Sequence, residues 1–372
     1  MSFSPFAFAR PIAFVATGLT ALAIAVGRTA ADRADERSAA PVRYYSINWY
    51  LFGTDDPSPR FLDAETGRVV AIPLGGTGYH KYLSCSPWRD ARGQAQVVGL
   101  PGGCGPSDLP QAGKEIVLTR YSFPEGRLLD QLPMDTIIPT SAPCWFPGMS
   151  SRILFGAADG RLYRLSFPEA RHTKDGERDD LLNPLPLAWN APHQDGEWIW
   201  LSDPAWPTDS RFGGRIVVSL THSGEVGPDA QPSGGKLWWL QLTADGRAIQ
   251  DAGRLTAPGP ETSERWPTLI TTRSGELQLA YLARRKGEQG WRLRTALVTI
   301  NSVTGAPHAG EPTPAGQEGE GLPFPPVFSA DGRWVHVMTR QQHSAVAVEH
   351  FVVADGAAGD DHANAIRLTR HE

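Results

Sequence analysis

The chain has 372 residues, 41% of them hydrophobic and 20% charged, which is enough to bury a large core and shows no bias toward disorder. A formal net charge of −5 and an isoelectric point near 6.1 argue against a nucleic-acid-binding surface. The one basic run of note, Arg284-Arg285-Lys286, lies beside Gly287 and Gly290 and reads as a solvated loop tip.

Residues 1–31 have the order of an export signal. Arg10 precedes an apolar stretch from Pro11 to Val26, and Thr29-Ala30-Ala31 offers small residues for cleavage. The apolar run, about 16 residues, is shorter than the roughly 20 needed to span a bilayer; an uncleaved N-terminal membrane anchor is the other reading. Residues 32–42, charged and Ala-rich, form a linker, and 43–372 the folded domain. The expected location is periplasmic or extracellular, with membrane contact only through such an anchor.

From residue 43 onward the sequence reads as strands and turns. After a half-unit from Tyr44 to Leu74, one pattern occurs five times: an apolar or aromatic residue, a polar turn, then a hydrophobic run. The copies begin at Cys85, Trp145, Trp206, Leu269 and Phe328, at intervals of about 60 residues, the spacing of repeated supersecondary units. The clearest is Phe328-Ser329-Ala330-Asp331-Gly332-Arg333, leading into Trp334-Val335-His336-Val337-Met338. We read each copy as opening a strand.

A second pattern marks hairpins in the other half of each unit. It is seen at Phe61 to Arg68, Tyr121 to Arg127, Leu165 to Arg171 and Leu242 to Arg247, and more weakly at Asn301 to Gly305 and Ala354 to Gly356. Asp or Glu before Gly suits a tight turn, because Gly takes positive φ without strain. Each unit is therefore predicted to hold two hairpins, or four strands. Four antiparallel strands repeated around a ring make a β-propeller.

The predicted fold is an all-β, six-bladed propeller closed by its N- and C-terminal strands, with the strand near Ala365 to Thr369 completing the first blade. Five or seven blades also fit the spacing. Trp145, Trp206, Trp238, Trp239, Trp266 and Trp334 fall in or beside predicted strands and are expected to fill packing layers between blades.

Three cysteines follow the export segment, Cys85, Cys104 and Cys144. Export favours disulfides. With Cys85 at the start of an inner strand and Cys104 in the loop between the second and third strands of the same blade, a Cys85–Cys104 bridge is expected. Cys144 is an alternative partner for either, and three buried reduced thiols are the remaining reading.

The usual catalytic patterns are missing: there is no Gly-x-Ser-x-Gly elbow, His-Glu-x-x-His or Gly-x-x-x-x-Gly-Lys-Ser/Thr loop. No cofactor or metal is expected. His336, His343 and His350 are seven apart, a step that reverses faces along a strand. Asp203 and Glu264, each just ahead of a copy of the repeat, could form a carboxylate pair at the channel mouth, as glycoside chemistry requires; alternatively both satisfy backbone donors in turns. His80, Lys81, His222, Arg265, Trp266 and Arg284 are placed around the same mouth, where loops on a rigid scaffold form a binding face.

The run Phe328 to Arg333, together with Pro143-Cys144-Trp145 and Pro204-Ala205-Trp206, resembles the TolB-like, WD-type β-propeller repeat, with Ala330 where that repeat has Pro. The resemblance covers about residues 43 to 370. It implies a propeller fold in a family that includes periplasmic partner-binding proteins and peptidase-associated propellers. The functional expectation is an exported, monomeric, non-catalytic scaffold binding a protein, peptide or glycan. The alternative is a propeller hydrolase or lyase acting on carbohydrate through Asp203 and Glu264.

Overall fold

The structure, a computed structural model, describes residues 44–46, 60–63, 69–71, 80–90, 93–101, 117–134, 137, 139–146, 151–167, 184–189, 199–207, 209–222, 235–259, 261–272, 274–288, 290–314, 326–328, 334–340, 348–354 and 366–370. Among these residues there is no α-helix, and no helix long and apolar enough to cross a membrane.

Among the described residues the strands form six antiparallel sheets in chain order. The first contains β1 (Tyr44–Ser46), β2 (Arg60–Asp63) and β3 (Val69–Ala71); the second contains β4 (His80–Cys85), β5 (Ala95–Pro101), β6 (Val117–Phe123) and β7 (Leu128–Pro133). The third contains β8 (Cys144–Trp145), β9 (Arg152–Gly156), β10 (Leu162–Ser166) and β11 (Leu185–Pro186). The fourth contains β12 (Ile199–Ala205), β13 (Arg215–His222), β14 (Lys236–Leu242) and β15 (Ile249–Arg254). The fifth contains β16 (Thr262–Thr271), β17 (Leu277–Arg285), β18 (Arg292–Ile300) and β19 (Pro307–Ala309), with β20 (Thr313–Pro314) also paired to β18. The sixth contains β21 (Val327–Phe328), β22 (Trp334–Arg340), β23 (Val348–Ala354) and β24 (Ile366–Arg370). The strand near Ala365 to Thr369, expected to complete the first blade, is therefore corrected: β24 pairs with β23 as the fourth strand of the sixth sheet, and the first sheet holds three strands among the described residues. Each is a meander in which consecutive strands are neighbours.

Alternation along the strands explains how these sheets stack. On β13, Ile216, Val218 and Leu220 pack toward the third sheet, against Leu154, Leu162 and Phe146. Val217 points the other way, into a core with Leu237, Trp239, Leu279, Tyr281 and Val298 shared with the fifth sheet. The second and third sheets share Val98, Leu118, Ile153, Phe155 and Leu165, and the first and second share Phe61, Leu83, Val97 and Tyr121. A sheet buried on both faces reads as a near-continuous apolar run, as in Leu277 to Ala283, where every residue is buried.

Several consecutive sheets also meet through their first or second strands: β1 touches β4, β9 touches β12, β12 touches β16 and β16 touches β21. Repeated antiparallel sheets stacked face on face in this way are the blade architecture of a β-propeller. The sheets approach closely enough that a Cβ on Gly156 would lie 2.8 Å from the Leu201 carbonyl oxygen of the next sheet.

The hairpin predictions hold where those turns are described. Turns at Pro124 to Arg127, Thr243 to Ala248 and Asn301 to Ala306 join the last strand pairs of their sheets. The repeat itself is corrected in polarity. Cys85 is the last residue of β4, Trp145 of β8 and Phe328 of β21, while Trp206 follows β12 directly. The pattern marks the exit of a sheet's first strand and the hairpin into its second.

The prolines explain this placement. Pro204 and Pro267 lie in register shifts of β12 and β16, where a residue lacking an N–H costs the ladder nothing. One consequence concerns the cysteines. His80 pairs with Pro101, so the β5–β6 connection leaves from the beginning of β4, whereas Cys85 is at its far end, opposite Val97. Cys85 therefore closes β4 rather than opening it, the reverse of the placement on which the expected Cys85–Cys104 bridge rests. Cys85 and Cys144 carry free thiols, and Cys104 lies outside the described residues.

Candidate functional site

Two neighbouring features stand out where β12 and β16 meet. The first is a pair of matched bulges. Asp203-Pro204 on β12 falls between the pairs Ser202↔Ser219 and Ala205↔Val217, and Trp266-Pro267 on β16 falls between Arg265↔Leu282 and Thr268↔Ala280. Asp203 and Trp266 have φ of 51° and 52°. Such backbone costs about 1–3 kcal/mol for a residue other than Gly and persists only where its surroundings hold it.

Those surroundings are polar at one bulge and aromatic at the other. Arg265 Nε donates to Asp203 Oδ2 at 2.6 Å and Nη2 donates to Oδ1 at 3.0 Å, with the Ser202 hydroxyl adding a bond to Oδ2 at 3.2 Å. The guanidinium of Arg265 lies 4.6 Å from the Trp266 ring centre. Trp266 meets Trp291 edge-on at 5.0 Å, and Arg284 covers Trp291 at 4.7 Å.

The second feature is a cavity of about 600 Å³ on the other face of β16, at the end of the core between the fourth and fifth sheets. Register builds it. Thr262 pairs with Arg285, Glu264 with Ala283, Ala283 with Arg292, and Tyr281 with Arg294, so all seven side chains share one face. Farther along that face the positions are Leu279, Ala296 and Val298, which are core. Toward the strand ends the apolar pattern gives way to charge, and a pocket results. Thr256 to Gly259 and His308 to Pro312 complete its walls.

Glu264 forms part of its floor and is only 2% exposed. It accepts hydrogen bonds from the Thr256 hydroxyl and, at 3.4 Å, from the Leu237 amide, and interacts with the Tyr281 hydroxyl. Burial pushes its carboxyl pKa above the ordinary range, against these bonds and the charge of Lys236, which act to lower it. Lys236 donates to the Thr262 and Gly259 carbonyls. Tyr281 is held strongly neutral, first by burial and then by the adjacent Glu264.

Four arginines line the cavity, Arg284, Arg285, Arg292 and Arg294, against the carboxylates of Glu288 and Glu311 and the buried Glu264. Arg292 reaches Glu288 at 3.7 Å. Among the described residues, Arg284, Arg285 and Arg294 have no carboxylate partner: Arg294 donates to the Leu293 carbonyl and Arg284 stacks on Trp291. Burial lowers the pKa of Arg284 and Arg294, followed by the positive charges of Arg265 and Arg292 respectively. The guanidinium groups remain charged.

The sequence-derived candidates separate on this map. Asp203, Arg265 and Trp266 form the bulge cluster, and Glu264 forms the cavity floor. Successive side chains on β16 take opposite faces, so Glu264 and the Arg265-bound Asp203 have different partners, and Asp203 is not in the cavity wall. His80 opens β4 and is followed by Lys81, while His222 ends β13 opposite Ile199. By register these backbone positions lie at the end of their sheets that corresponds to the cavity end of the fifth.

Arg284 is a correction. It belongs to β17 and lies half-buried on Trp291, so the basic run begins inside a strand rather than at a solvated tip. Tyr281, Arg292 and Arg294 escaped the sequence reading. Their alternation on either side of the turn at Gly287 is the signal that could have found them.

No protein-family model and no curated protein matches this chain. Among solved structures it is similar to a putative 6-phosphogluconolactonase from Bacteroides uniformis, at 11% identity over 90% of this chain and 83% of that one, with a TM-score of 0.47. It is also similar to the Cps50 (Swd1) β-propeller domain of Myceliophteria thermophila, at 14% identity over 89% and 86% with a TM-score of 0.41. The endo-arabinase of Bacteroides thetaiotaomicron gives 11% identity over 76% and 96%, with a TM-score of 0.41. At these values the likenesses carry no argument about activity.

Proposed function

We propose that this chain is an exported, monomeric, non-catalytic, six-bladed β-propeller of the TolB-like, WD type that binds a protein, peptide or glycan partner at one end. The observation that supports this reading most is the arginine-walled cavity, which opens where β16 begins and where the β17–β18 turn lies. A concave pocket with a few convergent polar groups on rigid strands is suited to recognition. Asp203 is engaged by the Arg265 guanidinium through both oxygens, the geometry of a structural ion pair between sheets.

The test is a panel of immobilised glycans and peptides probed with the purified chain and with an Arg285→Glu, Arg292→Glu variant. Specific capture by the parent chain that the variant loses supports the reading. Capture identical in both places recognition elsewhere and rejects it.

The alternative, a carbohydrate-active hydrolase or lyase, draws on Glu264, whose raised pKa at a cavity floor is that of a potential general acid. Release of reducing or unsaturated sugar ends that Glu264→Gln abolishes would establish it in place of the scaffold.

A further inference from the structure

We propose that the cavity between the fourth and fifth sheets binds a carboxylate-bearing sugar unit, a hexuronate, with Arg285, Arg292 and Arg294 holding the carboxylate and Tyr281, Glu264 and Thr262 receiving the hydroxyls. This deepens the binding reading above and rests on it.

Charge is the first reason. Arg285, Arg292 and Arg294 occupy one face of two paired strands, because Ala283 pairs with Arg292 and Tyr281 with Arg294. Like charges at such spacing repel, and two of the three have no carboxylate partner among the described residues. Glu288 and Glu311 in the lining offset part of this charge, Glu288 through Arg292; an anion in the cavity offsets more of it, and a planar carboxylate matches the paired N–H donors of a guanidinium.

The second reason is the floor. Beneath the arginines lie oxygen groups, namely the Tyr281 hydroxyl, the Glu264 carboxyl and the Thr256 and Thr262 hydroxyls, all in the cavity lining. A floor for a purely apolar acid would be aliphatic. These groups both donate and accept, as a ring bearing several hydroxyls requires. The volume of about 600 Å³ accommodates one or two sugar units and excludes a folded domain.

The experiment is a ligand-observed NMR titration of the full chain with D-glucuronate, with D-glucose and glutarate as controls. Glucuronate is expected to bind, glucose to give no response, and glutarate to bind at least about tenfold more weakly, by loss of the hydroxyl contacts. Arg285→Gln, at an exposed strand end, and Tyr281→Phe test the two halves without removing core volume. Each is expected to weaken glucuronate binding severalfold, with Arg294→Ala losing at least about tenfold.

Absence of glucuronate binding overturns the proposal, as does binding unaffected by Arg285→Gln. Equal affinity for glutarate overturns the sugar assignment. If the panel capture described above succeeds and is lost in its variant while glucuronate fails, the hexuronate assignment alone is refuted. If both fail, the binding reading falls with it.

Discussion

Arg265 on β16 grips Asp203 on β12 through two hydrogen bonds of 2.6 and 3.0 Å, tying the fifth sheet to the fourth across their first strands. Both side chains are largely buried, 11% and 2% exposed. Asp203→Ala leaves a buried guanidinium without its counter-charge and is expected to destabilise the chain by about 3–5 kcal/mol. Replacing both residues, as Asp203→Leu with Arg265→Met, should restore a large part of the loss. Urea denaturation reads both outcomes; an Asp203→Ala midpoint equal to that of the parent would show that the pair is not a tie between sheets.

Gly156 on β9 tests the stacking of consecutive sheets. An added methyl would sit 2.8 Å from the Leu201 carbonyl oxygen, a backbone atom that moves only if β12 moves. Gly156→Ala is expected to cost about 1–3 kcal/mol, measured as a shift in thermal midpoint. A neutral result would mean that the third and fourth sheets are not packed this tightly.

Glu264 gives the fold a pH dependence of defined sign. Its carboxyl titrates higher in the folded chain than the ordinary 4.5, so the folded state holds its proton where the unfolded chain has released it. The stability it contributes is full below the unfolded pKa and is lost as pH rises through the folded one. Relative to the parent, Glu264→Gln should therefore gain stability as pH rises above the ordinary carboxylate pKa. Parallel stability curves for parent and variant over that range would contradict the assignment.

Asp209 has the opposite sign. Its carboxylate accepts from the Arg211 guanidinium and from the Thr271 hydroxyl, and the Arg211 hydrogen bonds are the main cause of its pKa falling to about 2. Its contribution is present above the ordinary carboxylate pKa and is lost as pH falls through about 2. Asp209→Asn should flatten the acid limb of the stability profile, and an unaltered acid limb would exclude this role.

The thiols of Cys85 and Cys144 should be inert in the native chain. Burial raises both, Cys144 to about 12, so its thiolate fraction near pH 8 is on the order of 10⁻⁴. Alkylation followed by peptide mass spectrometry should label neither residue natively and both after denaturation. Native labelling of Cys144 at the unfolded rate would rule out the buried thiol.

Periodicity was enough to determine the kind of protein this is. Turn residues such as Asp245-Gly246, apolar runs such as Ile216-Val217-Val218 and the recurrence of the unit depend on neighbours in the chain, and each reappears as a hairpin or a strand. It singled out Asp203 and Glu264 just ahead of consecutive copies of the repeat, and the structure puts them inside the first strands of consecutive sheets. Strand direction and sheet face were beyond periodicity. The bulges at Asp203 and Trp266 shift register, and a shift of one residue decides whether a side chain meets the next sheet or the opposite side. For that reason Glu264 parts from Asp203 and joins Tyr281, while Arg292 and Arg294, ordinary residues of an alternating strand, become the wall of a cavity only when the fourth sheet packs over the fifth.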